Sequence, residues 1–327
     1  MAKRQCFTKG AVLATSAVMF PQSNFDDDKS TKTENGAPTI MSPTLPIHII
    51  RPNDFMEIAF DTRTRTPIYV MERLHGLSAN DPPTKRRARF HEEASLAEEF
   101  RSRNGHYRGS GYDRGHLIPA ADFRHIPTAA KDTYTLCNVV PQVASMNRHG
   151  WARLEAFVRK VAEQEWEKNQ AITYIISGPM WLPYSISKEN PGVFHYAYNG
   201  IGVPPSIVSV PTHLFKVVAV VHGNSIQKFA AFVMKNDEMK GGRVELSQYI
   251  VRLADLEAVT GLRFFPGMHE FRRRVDAVTE RVLTKLSNKR PVLLLTDGRT
   301  QDRDSEKIDR SSSSGKLNHL CENGKCQ

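Results

Sequence analysis

The sequence predicts an α+β fold in which a mostly antiparallel sheet is flanked by helices, and two observations carry this prediction. Residues 213–221 and 225–234 are rich in apolar side chains and are separated by Gly223-Asn224, which favours a hairpin. Elsewhere, apolar residues recur at helical spacing, most clearly over residues 145–168. Strands joined in hairpins, together with separate long helices, are typical of α+β proteins rather than of a regular βαβ alternation.

The remaining elements are predicted in chain order. Further strands are expected at residues 67–71, 134–140 and 171–177. The long helix has Ser145 as its predicted N-cap and carries one apolar stripe, formed by Trp151, Leu154, Val158 and Val161. A second helix is predicted over residues 246–260 and ends at Gly261, and a third, basic helix is predicted over residues 270–290.

The composition is that of a globular protein with a basic surface. Of 327 residues, 45 are Lys or Arg and 35 are Asp or Glu, so the formal net charge is +10 at neutral pH. Hydrophobic residues make up 40% and charged residues 24%, which excludes a wholly disordered chain, a collagen-like repeat and a polytopic membrane protein. The positive excess favours an anionic partner, either a nucleic acid or an acidic membrane surface.

The two ends of the chain are predicted to lie outside the folded domain. Residues 1–50 are expected to be a targeting segment and linker, and the acid-free, partly apolar start fits both a secretory signal peptide and a mitochondrial presequence. One domain is predicted over residues 51–295, including the basic helix, and a disordered tail over residues 296–327. Cys321 and Cys326 in that tail could close a small loop or bind a metal, and we interpret the pair as incidental.

The first stretch that suggests chemistry runs from Tyr107 to His116. Two glycines and a serine form a predicted turn, and an acid, a guanidinium and an imidazole follow within residues 113–116. An imidazole can take a proton from water near neutral pH, and a guanidinium can neutralise a phosphate oxygen. By itself the string also fits a salt-bridged turn with a surface histidine.

A second polar stretch covers residues 138–142 and 147–159. Four of its residues recur at a spacing of four: Asn147, Trp151, Glu155 and Arg159. They begin on one side of a helix and drift slowly around it. From the spacing alone, Trp151 is most simply a core residue, Asn147 fits a helix start, and the two charged residues fit an ordinary surface ion pair.

Together these stretches resemble the DNA/RNA non-specific endonucleases with a ββα-metal core, and most of all their mitochondrial endonuclease G branch. Residues 107–116 match the family's Tyr-Arg-Gly-Ser-Gly-aromatic-Asp-Arg-Gly-His signature. Residues 138–142 match Asn-Val-x-Pro-Gln, and residues 147–155 match Asn-x3-Trp-x2-Leu-Glu. Weaker similarity extends over roughly residues 55–268, whereas residues 117–122 depart from the small residues and Asn that usually follow the histidine.

The resemblance implies a metal-assisted mechanism. It assigns His116 as the general base that activates water, and Asn147 as the direct protein ligand of one Mg2+, for which Mn2+ could substitute. Glu155 is implied to reach the ion through water. Eight residues of regular helix rise about 12 Å, so either water bridges that gap or Asn147 lies before the regular helix.

The resemblance also gives roles to the other motif residues. Arg114 and Arg159 are candidates for stabilising the phosphate. Asp113 is expected to orient its neighbours and Asn138 to position the catalytic loop. Contacts with backbone phosphates are expected from Arg108 and Arg148.

The implied function is a sugar-non-specific endonuclease that hydrolyses phosphodiester bonds in DNA and RNA. Relatives of this branch are homodimers in the mitochondrial intermembrane space, so the same state and location are expected here. The alternatives are a secreted nutritional or defensive nuclease of the same family and a non-catalytic nucleic-acid-binding relative. No apolar run is long enough to predict stable membrane insertion of the mature protein, and a scaffold protein at a membrane surface would leave both motif blocks unexplained.

Overall fold

A sheet with almost entirely antiparallel pairing organises the protein. The computed structural model describes residues 45–77, 88–186, 193–239, 244–266, 269–285, 317–321 and 326. Its strands are β1 (Ile47–Asn53), β2 (Met56–Asp61), β3 (Thr66–Leu74), β4 (Asp113–His116), β5 (Val139–Gln142), β6 (Ile172–Met180), β7 (Ser185–Ile186), β8 (Phe194–His195), β9 (Gly200–Val203), β10 (Ser206–Ser209), β11 (His213–His222), β12 (Ser225–Lys235) and β13 (Asn318–His319).

The helical elements surround this sheet. The α-helices are α1 (Asn104–Tyr107), α2 (Pro127–Asp132), α3 (Ala152–Asn169), α4 (Leu253–Thr260) and α5 (His269–Lys285). A π-helical turn covers Met146–Trp151 and leads directly into α3. Short 3-10 turns lie at Glu98–Phe100, Ala120–Phe123, Leu136–Asn138 and Leu246–Tyr249. None of the helices in the described ranges is both long and apolar enough to cross a bilayer.

Seven strands form the main sheet in the order β1-β2-β3-β6-β11-β12-β13. Its neighbours pair antiparallel except for β12 and β13, which are parallel. The hairpin predicted from Gly223-Asn224 is confirmed as β11 and β12, and the strands predicted at 67–71 and 171–177 are confirmed within β3 and β6. The predicted α+β class is confirmed as well.

The sheet is covered on both faces, which explains why its central strands are almost continuously apolar. Leu214 and Val218 of β11 pack in the core that includes Leu154 and Phe157 of α3. Phe215, Val217 and Ala219 alternate with them and belong to a second core, which includes Leu256 of α4 and Val275 of α5. Successive strand residues point to opposite faces, so a sheet between two layers of helix requires apolar residues at nearly every position.

Three predicted elements differ locally from the structure. The strand expected from residue 134 begins only at Val139, because residues 136–138 tighten into a 3-10 turn in which Thr135 accepts from the Cys137 amide. The predicted Ser145 cap is wrong, since its Oγ bonds Glu238 and Met239 instead. The helix predicted over 246–260 is interrupted, because the Val251 amide donates to the Ala231 carbonyl of the sheet. Its last part is α4, which ends at Gly261 with a φ of +70°, as expected.

Described strands lie on both sides of the predicted domain of residues 51–295. Strand β1 starts at Ile47, inside the predicted linker. Residues 318–319 pair with β12, and Cys321 is fully buried and forms a disulfide with Cys326, so this part of the predicted tail is ordered. Residues 1–44 of the predicted targeting segment and linker, the part of the predicted basic helix beyond residue 285 and most of the predicted tail lie outside the described residues.

We expect Cys326→Ser to lower the free energy of unfolding by about 2 kcal/mol, because a disulfide that closes a loop of this length restricts the unfolded chain by that amount. Denaturant unfolding of the variant and of the unaltered chain measures the difference. Dithiothreitol should destabilise the unaltered chain equally and should leave the variant unchanged. Equal stability of the oxidised chain and the variant would contradict this expectation.

Candidate active site

Strand β4 carries three of the motif residues and is set up by the turn before it. Gly109 and Gly111 have φ values of +70° and +82°, a region that side chains rarely adopt. Between them, Ser110 Oγ donates to Tyr107 O at 3.0 Å and accepts from the Tyr112 amide at 3.2 Å. The turn therefore requires glycines on both sides of a hydroxyl residue, and it directs the chain into β4, which pairs antiparallel with β5.

The π-helical turn contributes Asn147 and Arg148. Asn147 O accepts from the amide of Ala152, five residues further on, and regular α-helix starts only there. Asn147 therefore lies before the regular helix, which was one of the two arrangements expected from its spacing to Glu155. Gly150 in this turn lies so close to the sulfurs of Met234 and Met239 that a Cβ would come within 2.7 Å of both.

The carboxylate of Asp113 joins β4 to the π-helical turn. Its Oδ2 accepts from Asn147 Nδ2 at 3.0 Å and from Arg148 Nε at 3.0 Å, and its Oδ1 accepts from a terminal nitrogen of Arg148 at 2.8 Å. Because the side-chain nitrogen Nδ2 of Asn147 donates to Asp113, the side-chain oxygen Oδ1 remains free to accept a hydrogen bond or to coordinate a metal ion. Asp113 thus contacts both Asn147 and Arg148. Arg148 lies in a bidentate ion pair with it, while 67% of the Arg148 side chain is exposed.

His116 lies at the other end of β4 between two aromatic rings. Phe90 and Tyr134 have ring centroids 5.0 and 4.8 Å from the imidazole. Burial lowers the pKa of His116 to about 4, and within the described part of the chain its Nε2 has no hydrogen-bond partner. The imidazole is therefore neutral near pH 7, and a neutral imidazole can accept a proton.

Contacts from the backbone of His116 fix its place relative to the helix. Its carbonyl accepts from Trp151 Nε1 at 3.2 Å and lies 3.5 Å from Gln142 Nε2. The Gln142 side chain crosses over Gly115, where a Cβ would come within 2.0 Å of Gln142 Cδ. Glycine is therefore the residue type that this position of β4 accommodates.

Asn138 holds the loop that follows the histidine. It is fully buried, its Oδ1 accepts from the Ile118 amide at 3.0 Å, and its Nδ2 donates to Ile118 O and Thr133 O at 2.9 and 2.8 Å. All of these contacts are with backbone groups. The geometry therefore supports the positioning role expected for this residue.

Both arginines of the first motif, Arg108 and Arg114, are exposed. Arg114 donates to Asn104 Oδ1 at 2.6 Å, and its guanidinium lies 4.7 Å from the centroid of Phe90. The Phe90 ring thus contacts both Arg114 and His116. Arg108 follows α1 at the start of the glycine turn. Both side chains can reach an anion in solvent.

A group of charged side chains, here called the buried charge cluster, adjoins the site: Glu72, Asp122, Glu155, Arg159 and Lys216. Arg159 donates to Asp122 at 2.5 Å and its side chain is only 15% exposed, so the guanidinium is committed to this ion pair. Lys216 Nζ donates to Ser177 Oγ at 2.7 Å and lies 4.8 Å from the centroid of Trp151. The cluster therefore contacts the same indole that donates to His116.

The carboxyls of the buried charge cluster have perturbed affinities for protons. Burial raises the pKa of Glu155 to about 8, against the opposing charge of Lys216, and burial also raises the pKa of Asp122. The pKa of Glu72 is raised well above its usual range by burial, and within the described chain neither of its carboxyl oxygens has a hydrogen-bond partner. Positive charge near Glu155 would favour its carboxylate form.

The donor set fits an oxygen-preferring divalent cation. Asn147 offers an amide oxygen whose direction is fixed by Asp113, and Glu155 offers a carboxyl whose pKa burial raises to about 8 despite the positive charge of Lys216 nearby. Mg2+ prefers oxygen ligands, retains several waters and needs few ligands from the protein. Asn147 is therefore the candidate direct ligand and Glu155 the candidate contact through water.

Several residues of the site were not predicted from the sequence. Phe90 and Tyr134 give no local signal, because only the tertiary fold brings their rings to His116. Lys216 lies in a region of weaker resemblance to the family, and Asp122 lies in the run that departs from the family pattern. Nothing in either stretch shows that Asp122 pairs with Arg159 or that Lys216 donates to the Leu117 carbonyl. Gln142 closes the second motif, and its contact with Gly115 is visible only in the structure.

Comparisons with known proteins point to nucleases. The family model described as DNA/RNA non-specific endonuclease matches residues 36–271. Nuclease C1 of Cunninghamella echinulata var. echinulata is 34% identical over 220 residues, which cover 65% of this chain and 82% of the relative. The mitochondrial endonuclease G of Bos taurus is 32% identical over 222 residues, 68% of this chain and 71% of the relative. A crystal structure of an EndoG/EndoGI complex is similar with a TM-score of 0.60 and 29% identity, over 69% of this chain and 88% of that one.

We expect the His116 imidazole of the metal-free protein to titrate near pH 4, because burial between the rings disfavours its charged form. Phe90→Ala should raise the midpoint toward the ordinary value of 6.5 by admitting water to the ring. Tyr134→Phe preserves the neighbouring ring and should leave the midpoint unchanged. NMR titration of the histidine ring signals measures all three, and a midpoint near 6.5 in the unaltered chain would contradict the buried environment.

Proposed function

This chain belongs to the DNA/RNA non-specific endonuclease family, and on that premise we propose that it is a metal-dependent endonuclease that hydrolyses phosphodiester bonds in DNA and RNA. One observation carries the proposal. Asp113 and the carbonyl of His116 bind Asn147 and Trp151 of the same π-helical turn, so a neutral imidazole and an oriented amide oxygen are held on one rigid unit. A proton acceptor and an oxygen ligand for a cation are what metal-assisted hydrolysis requires.

Asn147 Oδ1 would hold the metal ion, with Glu155 acting through water. When bound, Mg2+ or Mn2+ supplies a positive charge that stabilises the leaving 3′-oxygen of the phosphodiester. Asp113 binds Nδ2 of the Asn147 side chain, which leaves Oδ1 as the atom that would coordinate the ion. The raised pKa of Glu155 makes this carboxyl responsive to positive charge in its vicinity.

His116 acts as the general base of the proposed reaction. One nitrogen of its imidazole accepts a proton from the attacking water, the water oxygen bonds to phosphorus, and the bond from phosphorus to the 3′-oxygen breaks. The released 3′-oxygen takes a proton from solvent. The lowered pKa of His116 keeps the ring neutral, and so able to accept a proton, throughout the physiological pH range. Asn138 maintains the backbone that follows the histidine.

The arginines divide into two groups in this proposal. Arg108, Arg114 and Arg148 are exposed and would contact phosphates of the substrate. Arg159 would not contact the substrate directly but would hold Asp122 in place, since the two form a mostly buried ion pair. Contacts with the backbone carry little sequence information, which suits a non-specific enzyme, and the net charge of +10 supports attraction to any nucleic acid.

We further propose a mitochondrial location, in the intermembrane space, and a homodimeric state. The location is supported by relatives that are named as mitochondrial nucleases and by the basic, acid-free residues 1–25. The homodimer is supported by the resemblance to the endonuclease G branch.

We expect His116→Ala to remain folded and to lose at least about 100-fold of the nicking rate on plasmid DNA with Mg2+, because the general base is removed. The matched control is His222→Ala, at the exposed end of β11, which should retain its activity. EDTA should abolish cleavage by the unaltered chain. A non-catalytic relative would instead bind the plasmid and never cleave it, and near-normal activity of His116→Ala would exclude this residue as the base.

We expect Asn147→Ala to require roughly 10-fold more Mg2+ or higher for half-maximal cleavage, since it removes the direct ligand. Asn147→Asp retains an oxygen at that position and should recover part of the metal affinity. Titration of cleavage rate against Mg2+ concentration measures the shift, and thermal melting of each variant checks that the fold is intact. An unchanged Mg2+ requirement in Asn147→Ala would contradict the ligand role.

A further inference from the structure

Exposed aromatic side chains are concentrated in one segment beside the site. Tyr184, Phe194, Tyr196 and Tyr198 have exposed fractions of 69%, 44%, 55% and 55%, and they are called the aromatic row below. Large rings are normally buried, because they carry much apolar surface. Four exposed rings within one short part of the chain therefore indicate a surface that binds something.

The pairing of β7 with β8 brings Tyr184 next to the part of the chain that carries Phe194 and Tyr196. Strands β7 and β8 pair antiparallel, with Ile186 opposite Phe194 and Ser185 opposite His195. Beyond these pairs the Tyr184 amide donates to His195 O at 2.9 Å, and the Tyr184 and His195 ring centroids are 6.0 Å apart. The Tyr198 ring extends the surface toward Trp181, with ring centroids 6.0 Å apart.

The aromatic row is continuous with the proposed active site. Asn199, next to Tyr198, donates from Nδ2 to the hydroxyl of Tyr112 at 2.8 Å. Tyr112 immediately precedes Asp113 of β4. Trp181 Nε1 donates to Val210 O, and the Val210 amide donates to Asn199 O. These bonds fix Trp181 and Asn199, which adjoin Tyr198, to the same part of the fold. A nucleic-acid strand whose phosphates are bound at β4 can therefore bring its neighbouring nucleotides to these rings.

The segment that carries the aromatic row has the charge expected of a surface that contacts nucleobases rather than phosphates. The described residues 181–186 and 193–212 include no Asp, Glu, Lys or Arg. In the sequence, Lys188 and Glu189 lie between these two ranges and have opposite charges, so the segment has no net charge. Arg108 and Arg114 of the adjoining motif offer positive charge. Stacked rings beside a basic groove are the recurring way in which proteins bind single-stranded nucleic acid without sequence preference.

We propose that the aromatic row is a stacking platform for unpaired nucleobases of the substrate, so that the protein binds single-stranded DNA and RNA more tightly than duplex. The proposal rests on the proposed nuclease function and names the form of substrate that this function favours. Bases in a duplex are stacked on each other and cannot present their faces to the rings, whereas unpaired bases can. Because every base has an aromatic face, such a platform adds affinity without adding sequence preference.

The test compares binding of two probes in EDTA, where no cleavage interferes. One is a labelled oligothymidylate of about 15 nucleotides, and the other is its abasic counterpart with the same phosphates. The double variant Tyr196→Ala/Tyr198→Ala should bind oligothymidylate about 5-fold or more weakly for each ring removed, with unchanged binding of the abasic probe. Fluorescence anisotropy measures both affinities.

Two control variants separate stacking from other effects. Tyr196→Phe/Tyr198→Phe keeps the rings and should bind both probes like the unaltered chain. Ile49→Ala removes an exposed apolar side chain from the outer strand β1 and should also leave both affinities unchanged. Equal losses on both probes, or no loss on either, would overturn the stacking platform.

Other outcomes identify a different role for the row or a failure of the premise. If the alanine variant binds both probes normally but its mass in light scattering falls, the row is a contact between copies and the proposal is wrong. Failure of the unaltered chain to cleave any nucleic acid with Mg2+ would reject the nuclease function. The base-dependent affinity in EDTA would still be measurable in that case, so the two failures are distinguishable.

Discussion

The carboxylate of Asp113 is the interaction on which the arrangement of the site depends. A short strand and a π-helical turn would otherwise meet only through apolar packing and the contact of Trp151 with the His116 carbonyl. Three hydrogen bonds from Asn147 and Arg148 to one carboxylate fix both their separation and the rotation of the amide. Such charge-assisted bonds are stronger and more directional than neutral ones, so the position of a candidate metal ligand is set before any ion arrives.

The buried charge cluster supports this arrangement from below. Arg159 and Lys216 both lie in the core between the sheet and α3, and each is held by specific oxygens rather than by solvent. Removing one member would leave its partner charged and buried, which costs far more than the loss of a surface ion pair. The cluster also keeps Glu155 in a dry environment, where its protonation responds to nearby charge.

Local patterns predicted the fold class, the central hairpin and the motif residues, because each depends on neighbours in sequence. Local patterns fail where a segment distant in sequence binds or surrounds a side chain. Ser145 has the chemistry of an N-cap, yet Glu238 and Met239 take its hydroxyl and the helix starts with a π turn. His116 could be identified as a candidate base, but the lowering of its pKa depends on Phe90 and Tyr134, which no spacing rule connects to it.

The crossing of Gln142 over Gly115 links two positions that lie on different strands. A methyl group at residue 115 has no space unless the side chain at 142 becomes shorter, and a shorter side chain at 142 gives up its approach to the His116 carbonyl. Neither position can change first without loss. The two residues are therefore coupled, so the free-energy costs of substitutions at positions 115 and 142 are not additive.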